Sequence, residues 1–311
     1  MNITVMDIGA TTLNLLTATA EDGGLIKRGE STRYVRFGEG TLLSGFISEP
    51  AWASACDGVG SMICAARARG RGALVAVATS VVREASNGPA FRKALARQFD
   101  LDVQVLSSRD EALLAYRGAR SSCAGDKRLV VVDIGGGCIN FAAGDGPEAS
   151  WTSSLPLGTV RMEPAFSPGG SLSRRDAAAL GELMRRSLTP LAQQLEDRQP
   201  FRLVFSSGAA RAVREQVMLR SGYPGTTGAM DRETLAETQR KVTGARAADL
   251  IDAGVRPELA GSFAIATCLM RTIMDLLAVE QALVVDRGLR EGAALAHHEA
   301  LERGLATAER R

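Results

Sequence analysis

The feature that most constrains the fold is an acidic glycine turn that occurs twice, each time directly after an apolar strand. Asp7-Ile8-Gly9 ends a strand predicted over Ile3–Ile8, and Asp133-Ile134-Gly135 ends one predicted over Leu129–Ile134. Glycine lets backbone N–H groups approach a phosphate, and the aspartate offers oxygen ligands to a hard cation. A single copy is ordinary turn chemistry. Two copies, one opening each half of the chain, predict a repeated α/β unit whose turns hold a phosphate chain and its metal ion.

The predicted elements follow the same order in both halves, with strands first and helices after them. We predict strands over Ile3–Ile8, Leu13–Ala18, Gly24–Phe37, Ala73–Ala78, Val103–Leu106, Leu129–Ile134, Ile139–Ala143, Ala149–Leu155, Arg202–Phe205 and Ala282–Val285, and helices over Glu49–Arg69, Pro89–Gln98, Arg109–Arg117, Arg174–Glu196, Ala209–Leu219, Arg232–Lys241, Pro257–Leu277 and Leu289–Arg303. The small, polar stretch Ala119–Lys127 predicts the boundary between two domains, 1–118 and 119–311. The last helix, from about 289, can pack back on the first domain.

Composition excludes several classes of protein. Hydrophobic residues make up 45% of the 311 residues and charged residues 23%, the balance of a globular protein. The most apolar runs, such as Phe263–Met270, are too short to cross a bilayer, and no secretory signal is visible, so we expect a cytoplasmic protein. A net charge of +2 favours neither nucleic acid nor a membrane surface as partner. Five scattered cysteines and two adjacent histidines predict neither a zinc site nor disulfides.

Further motifs accompany the two turns, in a fixed order along almost the whole chain. They are Arg36-Phe37-Gly38-Glu39-Gly40, Ala78-Thr79-Ser80-Val81-Val82-Arg83-Glu84-Ala85-Ser86-Asn87, Asp110-Glu111-Ala112, Ser154-Leu155-Pro156-Leu157-Gly158-Thr159-Val160-Arg161 and Gly288-Leu289-Arg290-Glu291-Gly292. Together they resemble the exopolyphosphatase/guanosine pentaphosphate phosphohydrolase family of the actin-like ATPase superfamily, in its short two-domain form. The resemblance implies two actin-like (ribonuclease H-like) α/β domains with a phosphate-binding cleft between them, and a homodimer.

The same resemblance implies a hydrolase that uses Mg²⁺ to release terminal phosphate from inorganic polyphosphate or from guanosine pentaphosphate (pppGpp). Glu111 matches the family's catalytic glutamate, which aligns or deprotonates the attacking water, and Asp133 acts with it. The metal ligands implied are Asp7, Asp133 and Asn140, and the phosphate-binding residues are Gly9, Thr11, Arg83, Gly135, Gly136, Gly137, Cys138 and Gly208. Gly288–Gly292 is expected to act structurally, where the last helix begins.

Two of these residues have plainer interpretations when the resemblance is set aside. Ser108 and Glu111 have the spacing of a capping box, with Ser108 as N-cap and Glu111 at N3. Arg83, a lone arginine after a strand, is typical of a solvated or salt-bridged surface residue.

The glycine turns also depart from the family's pattern, and the departures motivate a second hypothesis. The family's D-I-G-G-G-S-T-E reads here with Cys138 in place of serine and Asn140 in place of glutamate, and an arginine usual after the first turn is Asn14. The alternative is therefore a catalytically weakened polyphosphate- or nucleotide-binding regulator of the same fold. A sugar or acetate kinase uses the same turns but is disfavoured by the motifs around Arg83 and Arg290. Cys138 as a nucleophile is disfavoured because no arginine follows it closely.

Overall fold

The computed structural model describes residues 1–21, 24–70, 72–123, 125, 128–221 and 228–308. The chain forms two units, Met1–Cys123 together with Arg287–Arg311, and Ala124–Asp286. The first unit therefore ends at Cys123, inside the polar stretch that predicted the boundary, rather than at residue 118. The last helix belongs to the first unit and not to the second, with which the domain range 119–311 had grouped it.

The first unit is built on a five-stranded sheet in the order β3-β2-β1-β4-β5. Its strands are β1 (Asn2–Ile8), β2 (Thr12–Glu21), β3 (Gly24–Tyr34), β4 (Ala73–Ala78) and β5 (Val103–Val105), and its helices are α1 (Thr41–Ser44), α2 (Glu49–Ala68), α3 (Ser80–Glu84), α4 (Gly88–Phe99), α5 (Ser108–Arg120) and α12 (Leu289–Ala308). β1 pairs antiparallel with β2 and parallel with β4, which pairs parallel with β5. The carboxyl ends of β1, β4 and β5 therefore meet at one edge of the sheet.

The second unit repeats this plan with a six-stranded sheet in the order β10-β11-β9-β6-β7-β8. Its strands are β6 (Leu129–Ile134), β7 (Ile139–Gly144), β8 (Trp151–Leu155), β9 (Arg202–Phe205), β10 (Ala229–Asp231) and β11 (Gln281–Val284), and its helices are α6 (Thr159–Phe166), α7 (Arg174–Glu196), α8 (Gly208–Ser221), α9 (Arg232–Val242), α10 (Ala247–Asp252) and α11 (Pro257–Leu276). β6, β7 and β8 form an antiparallel run, and β6, β9 and β11 are parallel. The glycine turn thus follows the first strand of the sheet in both units.

The core of the second unit shows why its long helices form. In α7 the buried residues recur every three or four positions, which places them on one face of the helix: Ala177, Leu180, Met184, Leu188, Leu191 and Leu195. That face packs into a cluster with Phe141 and Phe205 of the sheet and with α11. Burial of these side chains is the main stabilising term for the helix, because isolated helices are marginal in water.

α11 is longer than the apolar runs of the sequence suggested. By length and composition alone, α11 is one helix among the described residues that is long and apolar enough to cross a membrane, which the short apolar run Phe263–Met270 did not indicate. However, 67% of its apolar window is buried inside the protein, and residues such as Phe263, Leu269 and Ile273 belong to the core of the second unit. The helix is apolar on most sides because protein surrounds it.

Helix α12 packs on α5 in the first unit at unusually short range. A Cβ added at Gly292 would lie 1.9 Å from the Leu114 carbonyl oxygen, and one at Gly118 would lie 1.9 Å from that of Gly288. Only glycine permits this approach of one helix to the other. The ion pair Arg117–Glu299, at 3.4 Å, continues the contact along the helices. The structural role expected for Gly288–Gly292 is confirmed.

Sequence patterns did not predict five short elements, which are α1, α3, α6, α10 and β10. Each has three to eight residues, too few to display a hydrophobic period. Two of them matter for function, because α3 lies in the motif that contains Arg83 and α6 begins in the motif that ends at Arg161. Hydrogen bonds to residues distant in the chain hold both helices in place.

Candidate active site

The two glycine turns have the same local geometry. The N–H of Gly9 donates to the carbonyl oxygen of Thr12 at 3.0 Å, and the N–H of Gly135 donates to that of Cys138 at 2.9 Å. A Cβ at either glycine would lie 3.2 Å from the same carbonyl oxygen, so both turns are equally tight. The internal repeat predicted from the sequence therefore extends to hydrogen bonds.

Strand pairing places an asparagine opposite each aspartate. Asp7 pairs with Asn14 across β1 and β2, and Asp133 pairs with Asn140 across β6 and β7. Asn14 Nδ2 donates to Asp7 Oδ2 at 3.3 Å. Asn140 is 2% exposed, and its side-chain oxygen accepts from the Ser154 hydroxyl at 2.7 Å. In the sequence, Asn14 stood out only as a departure from the family's pattern, although its seven-residue spacing from Asp7, equal to that of Asn140 from Asp133, was a usable signal.

The R-F-G-E-G motif, with the residue before it, donates backbone hydrogen bonds to the first turn. The carbonyl oxygen of Ala10 accepts from the N–H of Gly38 at 2.5 Å, and that of Thr11 accepts from Val35 and Arg36 at 3.0 and 3.2 Å. A Cβ at Gly38 would lie 2.6 Å from that of Ala10, so glycine is needed there. The motif therefore positions Gly9–Thr11, and the phosphate contacts predicted for Gly9 and Thr11 remain predictions.

The parallel strands bring Asp7, Arg83 and Glu111 to the same edge of the first sheet. Arg83 lies on α3, directly after β4, and Glu111 lies in the first turn of α5, after β5. Two hydrogen bonds, Thr79 N–H to the Ile8 carbonyl at 3.2 Å and Leu106 N–H to the Ala78 carbonyl at 2.9 Å, join the strand ends. Ligands of open α/β sheets bind at this edge, outside the carboxyl ends of the strands.

Arg83 and Glu111 form a buried ion pair. Arg83 Nη1 donates to Glu111 Oε1 and, at 2.7 Å, to the carbonyl oxygen of Leu106. Glu111 is only 4% exposed, so its carboxylate needs a cation close by. Of the two plainer interpretations of Arg83, the salt-bridged one is confirmed, because its side chain is bound to Glu111 and only 22% exposed.

The expected N-cap of α5 is displaced by one residue. Ser107, not Ser108, is the N-cap of α5, and its hydroxyl oxygen accepts from the N–H of Asp110 at 3.1 Å. The Ser107 hydroxyl also donates to the Asp110 carboxylate at 2.6 Å. Asp110 thus occupies the N3 position that the sequence had given to Glu111. Glu111 follows at the next position of the helix, and its carboxylate accepts from Arg83.

The pKa of the Asp7 carboxyl group is strongly perturbed. Burial raises its pKa from 3.8 to about 6, against the opposing effects of the Arg290 charge and the Asn14 hydrogen bond. The negative charges of Glu111 and Glu291 raise it further. Its Oδ1 atom is buried with no hydrogen-bond partner in the described part of the chain, and the same holds for Nη1 of Arg290. A buried carboxylate oxygen without a partner is suited to a cation or a water molecule.

The second glycine turn lies at the corresponding edge of the second sheet. Gly208, the first residue of α8, follows β9, and the N–H of Ser206 donates to the Val132 carbonyl at 3.1 Å. Gly208 and the turn after β6 therefore share this edge. Cys138 is 6% exposed and unoxidised. Asp133 faces Asn140 in the strand register, as described above.

Comparison with known proteins gives a consistent result over nearly the whole chain. A sequence model described as the Ppx/GppA phosphatase family matches residues 18–299. The chain is 27% identical to Exopolyphosphatase 1 of Mycobacterium tuberculosis over 307 residues, which covers 94% of this chain and 87% of that protein. It is also 27% identical to a guanosine-5'-triphosphate,3'-diphosphate pyrophosphatase of Vibrio vulnificus, of which it spans 58%.

Solved structures extend the likeness to the fold. An exopolyphosphatase from Cytophaga hutchinsonii superposes with a TM-score of 0.89 at 22% identity, covering 96% of this chain and 98% of the other. The Aquifex aeolicus member of the Ppx/GppA family gives a TM-score of 0.78 at 20% identity over 97% of this chain and 98% of the other. At these identities the likeness concerns the fold alone. The predicted fold class, two α/β units of the actin-like type, is confirmed.

Proposed function

The chain belongs to the Ppx/GppA phosphatase family, and we propose that it hydrolyses the terminal phosphoanhydride of inorganic polyphosphate or of pppGpp. The observation that carries the proposal is the buried Arg83–Glu111 pair at the strand edge that also holds Asp7 and its glycine turn. Relatives over most of the chain are named as an exopolyphosphatase and as a pyrophosphatase of guanosine-5'-triphosphate,3'-diphosphate, the same reaction class.

Hydrolysis of a phosphoanhydride depends mainly on positioning and on electrostatic stabilisation, because little covalent chemistry falls to the protein. In this proposal Glu111 accepts a hydrogen bond, and then the proton, from the water that attacks the terminal phosphorus. Arg83 holds the Glu111 carboxylate in place and presents its positive charge to the equatorial phosphate oxygens. The N–H groups of the two glycine turns bind the remaining phosphate oxygens as neutral donors.

The residues of the first turn fit a Mg²⁺ ion. Asp7 Oδ1 is a buried, unpartnered carboxylate oxygen, and carboxylate oxygen is the ligand that Mg²⁺ prefers. Among the described residues no group of three or more His, Cys, Asp or Glu side chains could hold an ion by itself. Mg²⁺ does not need such a cage, because it binds through one or two carboxylates, water and substrate phosphates. We propose that Asp7 and Asp133, with Asn140, hold it. When bound, it would neutralise charge on the phosphate chain.

The cellular setting follows from the sequence in the same way. We propose that the protein works in the cytoplasm, as the sequence led us to expect, and that it is a homodimer, as the family resemblance implies. Sedimentation analysis of the purified protein tests the second point. A single species with the mass of one 32.8 kDa chain would refute the dimer.

The test of the proposed function is phosphate release by the purified protein from long polyphosphate, short polyphosphate and pppGpp, each in Mg²⁺ and in EDTA. We expect metal-dependent release, with kcat lowered at least about 100-fold in Glu111→Gln because a general base typically contributes that much. Asp110→Asn is the matched control, because it changes the adjacent, exposed carboxylate that serves the helix cap. Its rate should stay close to that of the wild type.

Two results would contradict the proposal. Wild-type turnover by Glu111→Gln would exclude Glu111 as the base. Saturable binding of a polyanion without any phosphate release would instead favour the regulator hypothesis, in which Cys138 and Asn140 have weakened catalysis while the backbone donors of the turns persist.

A further inference from the structure

The motif Ser154–Arg161 has no role in the proposed chemistry, yet three of its last four residues donate to the carbonyl groups of the three glycines in the second turn. The N–H of Thr159 donates to the Gly135 oxygen at 3.0 Å, that of Arg161 to the Gly136 oxygen at 3.1 Å and that of Gly158 to the Gly137 oxygen at 3.2 Å. Arg161 Nε adds a second bond to the Gly137 oxygen at 2.9 Å. We call residues 158–161, which begin α6, the carbonyl clamp.

The carbonyl clamp lies too close to the turn for any side chain at Gly158. A Cβ there would be 2.4 Å from the carbonyl carbon and oxygen of Gly136 and 2.5 Å from the nitrogen of Cys138. The N–H groups at the start of a helix lack partners within the helix. Here the N–H groups of Thr159 and Arg161 find them in the glycine turn, so α6 and the turn stabilise each other.

The clamp determines where the N–H groups of the turn point. A peptide unit is planar and trans, so the N–H of one residue points opposite to the carbonyl of the residue before it. Because the carbonyls of Gly135 and Gly136 are bound to the clamp, the N–H groups of Gly136 and Gly137 are directed away from it. Within the described part of the chain these two N–H groups donate no hydrogen bond. They are two adjacent donors of the kind that binds anions.

We propose that Arg161 is a positioning residue. Its side chain keeps the Gly137 carbonyl turned away from the phosphate, and its backbone N–H, bound to the Gly136 carbonyl, keeps the N–H of Gly137 directed toward the phosphate. Glycine peptides rotate readily, and a rotated peptide between Gly137 and Cys138 would present a carbonyl oxygen to the phosphate chain. The Gly137 oxygen receives two donors, the N–H of Gly158 and the side chain of Arg161, and the charged side chain is the stronger one. The inference rests on the proposed function, because its ligand is the phosphate chain of that substrate.

Three substitutions of Arg161 separate positioning from direct attraction of the anion. Arg161→Gln places an amide N–H at the same point along the side chain as Nε but removes the charge. Arg161→Lys keeps the charge and has a methylene at that point. Arg161→Met has neither the donor nor the charge, at similar length. The readouts are the Kd for inorganic tripolyphosphate by calorimetry in Mg²⁺, KM and kcat for polyphosphate, and the melting temperature.

If Arg161 positions the turn through its Nε–H group, Arg161→Met and Arg161→Lys should raise the Kd and KM roughly tenfold or more, the effect of losing a hydrogen bond from a charged group. In Arg161→Gln both constants should stay within about threefold of the wild-type values, since the donor is retained. In all three variants, kcat should change by a smaller factor than KM.

Other outcomes overturn the inference and leave the proposed function intact. If Arg161→Lys binds tripolyphosphate as the wild type does while Arg161→Gln and Arg161→Met do not, Arg161 acts through its charge on the ligand. If all three bind normally and differ only in melting temperature, the clamp is merely structural. A wild-type protein that neither binds tripolyphosphate nor hydrolyses polyphosphate would refute the proposed function, and this inference with it.

Discussion

Replacing Gly292 by alanine should destabilise the first unit, although alanine is the better helix former. Gly292 lies in α12, and its added Cβ would stand 1.9 Å from the carbonyl oxygen of Leu114, 2.7 Å from its carbonyl carbon and 3.0 Å from its Cα. All three atoms belong to the backbone of α5, so no side chain can rotate out of the way. One helix must move relative to the other.

The size of the effect can be worked out from that contact. The shortest ordinary carbon–oxygen contacts are about 3.3 Å, so the helices must separate by about 1.4 Å. A gap of 0.5–1 Å already removes roughly a quarter to a half of the dispersion energy of the atoms that line it. The affected atoms include Ala294 and Leu295, which pack on Ile3 and Val5 of the sheet. Overpacking of this kind costs about 1–3 kcal/mol or more, and the helix propensity of alanine returns about 1 kcal/mol. We expect a net loss near 2 kcal/mol.

The assay is urea unfolding of the purified variant beside Gly304→Ala, a change of the same chemistry in the same helix. A Cβ at the exposed Gly304 would meet nothing within 4 Å, so this control should gain up to about 1 kcal/mol from helix propensity. Gly292→Ala should also lose activity, because α5 carries Glu111. If both variants are equally stable, the close approach of α12 to α5 does not exist in the protein and the reasoning is refuted.

Three further predictions concern the two turns and the ion pair. Burial raises the pKa of Asp7 to about 6, so the folded protein holds this proton more tightly than the unfolded chain does and loses stability as pH rises from about 4 to about 6. In EDTA, Asp7→Asn should therefore have a higher free energy of unfolding than the wild type, by about 2 kcal/mol more at pH 7.5 than at pH 4. An equal difference at both pH values would contradict the assignment. Arg83→Met leaves the buried Glu111 without its cation and should cost about 3 kcal/mol in urea unfolding, most of which Glu111→Gln in the same chain should restore. Cys138→Ser with Asn140→Glu should lower the Mg²⁺ concentration for half-maximal hydrolysis, and an unchanged Mg²⁺ titration would show that Asn140 does not face the metal.

Sequence patterns predicted the long elements well, because each displays a complete hydrophobic period or a continuous apolar run. The bounds of α7 and β9 agree with the prediction at both ends, and those of α2 differ by one residue. The site residues of the first unit were found through motif resemblance, and the parallel strands bring Asp7, Arg83 and Glu111 to one edge. The cap of α5 was misplaced by one residue because Ser107 and Ser108 are equally good caps in sequence.

By itself, the sequence determined the α/β class and the repeat of two glycine turns with Asp7 and Asp133, because these depend on local periods and on residue types at fixed spacing. The choice of Glu111 came from the family resemblance. Only the tertiary structure decided what Arg83, Arg161 and Gly292 do. Each of them acts on an atom distant in the chain: Arg83 on the Glu111 carboxylate, Arg161 on the Gly137 carbonyl and Gly292 against the backbone of Leu114. Such contacts leave no periodic signal in the sequence, since only the packing of helices on the strands brings the two partners together.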